Sequence, residues 1–339
     1  MDVDRPRTDR RFTTVTAVTT AGRAHPRGRE RRSVASVPWS MCPRVVRGAS
    51  VVADPARLAG EDALVAPRRE LPAGEVALAC RLEELAHRAW PPLREEAHAG
   101  WVLRESAGSS RRGNSVWARG DVPDLADGLR VVRSFYEAVG LPPTFQVTPV
   151  ARPAGLLDAL DAAGYDDAGP TDVCVAPLAG LLVARPGDGQ VEVTHADLPD
   201  ERWLAVAGRV LTTFAAQRAG SLAVLRAMTL PQRYVTLHVD GVPAGVGRGV
   251  LDGGWLGIYS MATLPGARGR GAAGRVLAEL ARWAGAGGAN HAYLQVERDS
   301  IAARALYTRR GFRPVYGYSY RRLPAPAPVG PAGNGAARS

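Results

Sequence analysis

The sequence predicts an α/β protein of the α+β kind, in which two mixed-sheet units follow one another, the second complete and the first reduced. Three observations carry this. Segments of period-two apolar alternation and of helical periodicity take turns along the chain rather than segregating. The predicted elements of the first half recur in the same order in the second. An arginine- and glycine-rich turn stands between a strand and a helix in the second half, at residues 268–274, and the first half has nothing like it.

In the first half the pattern predicts strands at 114–117, 144–148 and 172–176, with helices at 125–138 and 156–165. The second half repeats the order: strand 255–264, helix 271–285, strand 291–297, helix 301–312, strand 315–322. Phe145-Gln146-Val147 mirrors Leu294-Gln295-Val296 at an offset of 149, and Gly164-Tyr165 mirrors Gly311-Phe312 at 147. Upstream, 191–193 alternates as an opening strand, and 203–211 and 215–228 are helical. Residues 234–239 read as a half-buried strand, and Asp240-Gly241 is a hairpin turn signal into a strand over 244–251. The layout is a disordered basic tail over 1–47, a reduced unit over 48–180, a linking loop over 179–189, a complete unit over 190–323 and a disordered Pro/Gly/Ala tail over 324–339. Met41 lies near the end of the first tail, so an upstream mis-called start codon accounts for that tail as well as any function does.

At 339 residues with 46% hydrophobic content, the chain holds enough for two ordinary cores. Of the formal net charge of +10, most comes from residues 1–47, where eleven Arg face Asp2, Asp4, Asp9 and Glu30. The body is nearly balanced, which argues against a nucleic-acid-binding module, since that needs a basic face on a folded element. Every basic residue is arginine. Cys42, Cys80 and Cys174 are widely spaced and odd in number, and the six His residues show no H-x-x-x-H spacing. Neither a disulfide framework nor a metal site is expected, and a reducing cytoplasm fits best. Arg10-Arg11 precedes an apolar stretch half composed of threonine, too polar for an export signal. No run approaches the roughly eighteen apolar residues of a membrane span, so no membrane partner is expected.

The turn reads Arg268-Gly269-Arg270-Gly271-Ala272-Ala273-Gly274. Glycines at the mouth of a helix let backbone N–H groups close on a phosphate. Arg268, Gly271 and Ala273 match the first, fourth and sixth positions of a (Gln/Arg)-x-x-Gly-x-(Gly/Ala) signature, and here the chain resembles the Gcn5-related (GNAT) acetyltransferase superfamily, in the tandem-repeat form with a degenerate first repeat. Gly269 to Gly274 also spells the dinucleotide fingerprint G-x-G-x-x-G, with Glu297 as a ribose-binding acid, which is the signature of an oxidoreductase. Against that stand the four residues Pro265-Gly266-Ala267-Arg268 between strand and first glycine, and the C-terminal position of the unit. Ala305-Leu306-Tyr307 and Arg310-Gly311-Phe312 also fit the last helix of an acetyltransferase.

The resemblance implies an N-acetyltransferase that takes acetyl-CoA as cosubstrate and a primary amine of a small molecule or peptide as acceptor; a catalytically inactive CoA-binding regulator is the alternative. It implies that the turn, Arg268 to Gly274, meets the diphosphate, and that the strand positions Met261, Ala262 and Thr263 meet the pantetheine arm. Tyr307 matches the family's tyrosine that protonates the leaving thiolate. Ser300 stands where family members commonly have Asn and Ala302 where Pro is frequent, which puts the Ser300 contact with the cofactor in doubt. Glu297 is the best-placed acid for a general base, with His238 and Tyr259 behind it. In the first half, Arg119-Gly120-Asp121-Val122-Pro123-Asp124 replaces the glycine turn and sets Asp121 and Asp124 to cap the helix where a phosphate would need positive potential. That half is expected to bind no cofactor and to wall the acceptor pocket. Arg111-Arg112-Gly113-Asn114-Ser115 reads as a turn with solvated arginines, with a recognition element as the alternative for the same segment.

Overall fold

The computed structural model describes residues 71–182 and 191–324. The basic tail, the start of the reduced unit, residues 183–190 of the linker and residues 325–339 of the last tail lie outside the described residues. The first half comprises α1 (Ala73–Ala89), β1 (Arg94–His98), β2 (Trp101–Glu105), β3 (Val116–Ala118), α2 (Leu125–Glu137), β4 (Thr144–Val147), α3 (Leu156–Ala162), β5 (Asp166–Pro177) and the single turn α4 (Ala179–Leu182). The second comprises β6 (Glu192–Ala196), α5 (Glu201–Val210), α6 (Thr212–Ala216), α7 (Arg218–Ala227), β7 (Gln232–Val239), β8 (Val242–Asp252), β9 (Trp255–Thr263), α8 (Ala272–Ala286), β10 (His291–Glu297), α9 (Ile301–Arg309) and β11 (Arg313–Arg322).

All eleven strands form one sheet in the order β1-β2-β3-β4-β11-β5-β10-β9-β8-β7-β6. Each half gives its last strand to the other: β11 pairs antiparallel with β4, and β5 pairs antiparallel with β10. The two exchanged strands also pair with each other. Gln146 faces Tyr320 where Gln295 faces Val173, so the ladder repeats the sequence offsets of 149 and 147. At the centre Asp172 lies opposite Gly317 and accepts a 2.7 Å hydrogen bond from Arg298 Nε. A methyl group on Gly317 would collide with that guanidinium.

The alternation of β5 places Val173 and Val175 on one face and Cys174 and Ala176 on the other. The first face is covered by Leu82, Leu85 and Ala86 of α1, which reach strands of both halves, and further along by α5 to α7 through Trp203, Phe214 and Leu225. The second is covered by α8 and α9. Helices α2 and α3 pack on β2 to β4 around Trp101, Phe145 and Tyr165.

Several local features follow directly from residue type. Asp240 and Gly241 both take positive φ, 52° and 74°, in the β7–β8 hairpin. The predicted helices 156–165 and 301–312 stop at Ala162 and Arg309 because Gly164 and Gly311 turn left-handed; Tyr165 N then donates to Leu160 O and Phe312 N to Tyr307 O, both at 3.0 Å, the same cap in each half. Asp124 caps α2 as expected, its Oδ1 accepting from Asp127 N at 3.1 Å. Asp121 does not: its Oδ2 accepts from Arg152 Nη2 at 2.7 Å instead. The predicted loop 179–189 opens with the turn α4 because Leu181 is drawn into the core. Helix α1 and strands β1 and β2 carry no counterpart in the sequence reading.

Glu83 of α1 is 3% exposed, accepting from Tyr316 Oη at 2.5 Å and Gln146 Nε2 at 3.0 Å. Burial outweighs the Tyr316 hydroxyl and the guanidinium of Arg112 and raises its pKa above 4.5. The folded chain therefore keeps a proton that the unfolded chain has released, and stability falls as pH rises above about 4.5 toward the raised folded value. Glu83→Gln should flatten that slope in calorimetric melts across this range. The strand exchange makes a second prediction. Chains covering 71–182 and 191–324 should each lack a cooperative thermal transition alone and recover one when co-expressed.

Candidate active site

Strands β9 and β10 run together in parallel only from Trp255 to Ile258 against His291 to Leu294. Beyond that point β9 continues on β8, while β10 continues on β5 to Glu297. The two diverge into a V, and the β9 edge from Tyr259 to Thr263 has no partner on β10. A register shift between Val246 and Arg248 and a positive φ of 51° at Ser260 mark the bulge that turns β9 away. Met261 and Thr263 are half-buried; Ala262 is buried under Trp203, so its side chain is structural and only its backbone faces the V.

At the open end, Pro265–Ala267 forms a 3-10 turn and Arg268 Nε donates to Thr263 O at 3.3 Å. Gly269 and Gly271 take φ of 74° and 79°, conformations that favour glycine, and Gly271 caps α8 with no side chain over the helix mouth. The first-turn N–H groups of Ala272, Ala273 and Gly274 have no intrahelical acceptor, and Arg268 and Arg270 are exposed beside them. An arrangement of this kind can hold a phosphate group.

The apex of the V opens on the α1 face into a cleft of about 520 Å³. Its walls come from both halves: Trp90 and Ser109 to Arg112 from the first, residues 210–214 from α5 and α6, and Tyr259, Ser260, Gln295, Glu297, Ser300, Tyr318 and Tyr320 around the diverging strands. Arg112 donates to Gln295 Oε1, which also accepts from Tyr318 Oη at 2.6 Å. Arg111 forms an ion pair with Glu297. Tyr259 Oη and Tyr293 Oη share a 2.7 Å hydrogen bond, and burial raises the pKa of both phenols.

Of the residues the sequence singled out, Glu297, Ser300 and Tyr259 meet in this cleft. Tyr307 does not line it. It packs edge-on to Phe312 at 5.7 Å on the α9 side of the sheet, 8% exposed, where burial and then Cys174 raise its pKa. His238 is buried on β7 and is absent from the cleft lining. The turn over 111–115 is present as a 3-10 turn at Arg112–Asn114, but Arg112 is not a solvated arginine. It lies 5.8 Å from the Tyr259 ring and bonds to Gln295, because the exchange brings β11 and β10 beneath it. Gln295, Tyr318, Tyr320 and Trp90 were missed. The matched Gln146 and Gln295 were the available signal, a polar residue repeated between buried neighbours. Among the described residues no group of three or more metal-ligating side chains comes together, and no helix is long and apolar enough to cross a membrane.

A strand pair splayed above a glycine-mouthed helix defines an acyl-CoA-dependent N-acetyltransferase of the GNAT superfamily. The chain belongs to the family described as "Probable histone acetyltransferase Rv0428c C-terminal", whose model matches residues 79–321. It is 27% identical over 244 residues to the uncharacterized N-acetyltransferase YobR of Bacillus subtilis, covering 71% of this chain and 97% of that one. It is 30% identical over 237 residues to the mycothiol acetyltransferase of Beutenbergia cavernae, covering 66% and 72%. Among solved structures, a GCN5-related N-acetyltransferase from Kribbella flavida superposes with a TM-score of 0.54 at 20% identity, over 74% of this chain and 96% of that one, and so shares the fold.

Gly271→Glu adds bulk and negative charge at the helix mouth and should abolish acetyl-CoA binding in calorimetry. Because any side chain is strained at φ 79°, Gly271→Ala serves as the control. It should lower the melting temperature about as much while retaining binding.

Proposed function

We propose that the protein transfers the acetyl group of acetyl-CoA to a primary amine of a small molecule or peptide. The observation that carries this reading is the V between β9 and β10, which ends at the glycine cradle on one side and in the cleft on the other. The cofactor's diphosphate fits the N–H groups of the 268–274 turn, and the free backbone edge of β9 fits the amides of its pantetheine arm. Ser300 at the start of α9 stands beside the path with its hydroxyl free of a capping bond.

Acetyl transfer needs an unprotonated amine and a proton for the departing thiolate. In this reading Tyr307 supplies that proton from the α9 side of the sheet, a role that rests on the family resemblance and not on a place in the cleft lining. Its burial raises the pKa of the phenol, which holds the proton in place until the thiolate departs and also makes the phenol a weaker acid. Glu297, at the lip of the cleft and tied to Arg111, accepts the amine proton directly or through water. The family is named for a histone acceptor and one relative for mycothiol, and both names are consistent with an amine-bearing acceptor.

Acetyl-CoA-dependent thiol release across an amine panel tests the reaction. Tyr307→Phe should lower turnover by about 10²- to 10⁴-fold with little change in acetyl-CoA affinity, the pattern of a group that acts mainly in the transition state. Wild-type turnover in that variant would make Tyr307 a packing residue.

A further inference from the structure

The cleft is electrostatically one-sided. Arg111 and Arg112 line it, and Arg248 stands directly behind its wall, fully buried, 5.6 Å from the rings of both Trp90 and Tyr259. The hydrogen bonds of Arg248 go to Gln232 Oε1 at 3.1 Å and to Ala89 O at 3.2 Å, which are neutral acceptors. The lining itself holds two guanidiniums and one carboxylate, Glu297, which Arg111 already engages; of the acids behind the wall, Asp172 is paired with Arg298 and Arg304, and burial raises the pKa of Glu83. Burial keeps the phenols of Tyr259 and Tyr320 protonated, so they add no negative charge.

An independent observation concerns hydrogen bonding. Trp90 Nε1, Ser109 Oγ, Arg112 Nε and Gln295 Nε2 are buried and have no hydrogen-bond partner, and all four residues line this cleft. Gln295 Oε1 already accepts two hydrogen bonds, which leaves its Nε2 as the unpaired end. Three of the four atoms can only donate. Buried donors left unpaired cost folding free energy and cluster where a ligand completes them. The thioester carbonyl has two lone pairs and so occupies at most two of them.

We propose that the acceptor amine carries a carboxylate, held in this cleft by Arg112 and the unpaired donors around it, so that the substrates are amino-acid-like amines and not polycations. A carboxylate is acceptor-only, with two oxygens and about four lone-pair sites, and matches the unpaired donors beside Arg112. A lysine-rich segment or a polyamine would place like charge against three guanidiniums. A volume of about 520 Å³ suits a small molecule. The inference rests on the acetyltransferase reading and narrows its acceptor.

The test compares kcat/KM in acetyl-CoA-dependent thiol release for free amino acids, their C-terminal amides, spermidine and a lysine-rich peptide, with acetyl-CoA binding followed separately by calorimetry. The acids should be preferred over their amides by about 10- to 100-fold, the worth of a charged hydrogen bond. Arg112→Gln should collapse that preference, and Ser109→Ala, a milder change, should reduce it. Equal use of acids and amides, preference for spermidine or the peptide, or no turnover of any acid by protein that binds acetyl-CoA would each overturn the inference while leaving the cofactor site intact. Absence of acetyl-CoA binding would instead remove the functional reading and the inference with it.

Discussion

The backbone ladder through β4, β11, β5 and β10 is the constraint on which the rest of the molecule depends. A sheet built from two separate repeats would have two centres and two free inner edges. With the last strands exchanged, β5 and β11 are each hydrogen-bonded on both sides, and the edges that would otherwise invite pairing with other chains are consumed. Helix α1 can then lie across strands of both halves, and its buried Glu83 bonds to β4 of one and β11 of the other. The polar contacts along this seam, including Arg298 with Asp172 and Arg112 with Gln295, join residues far apart in the chain.

The site is a consequence of that ladder. Strand β10 must stay on β5, and the bulge at Ser260 turns β9 with β8, so the two part after Ile258 and Leu294. The V is thus produced by two pairings that cannot both be kept. Because β11 and the turn at Arg112–Asn114 close over the same point, the cleft at the apex is walled by the half that has no glycine cradle. In that half, the surface at the start of α2 is lined by Asp124 and Asp127, with Arg130 paired to Asp127, and its charge is the opposite of what a diphosphate needs.

Burial sets the chemistry of the aromatic groups around the seam. Tyr259, Tyr293, Tyr316 and Tyr320 all have raised pKa values, with desolvation the largest cause, so they remain neutral donors that shape the cleft without balancing its guanidiniums. The charged groups that line the cleft are therefore Arg111, Arg112 and Glu297, with Arg248 buried behind the wall.

Much of this was legible in the residues. Alternation and helical periodicity located the strands and helices of the second unit to within a few residues, because those signals are local, except that the single helix expected over 215–228 is broken at Gln217 into α6 and α7. The turn from Arg268 to Gly274 stood out because glycines clustered at a helix mouth are a local signal, and the near-constant offsets of 149 and 147 between matched residues revealed the repeat. The exchange of β5 and β11 was not legible, since strand pairing is a long-range choice that leaves no mark on either strand's own pattern. For the same reason Arg112 read as a solvated turn residue and Asp121 as a cap. Each found its partner, Gln295 and Arg152, only when distant segments met. The sequence by itself determined the elements and the glycine-rich helix mouth, which depend on neighbours in the chain; the cleft, its charge and its unpaired donors were decided by tertiary pairing alone.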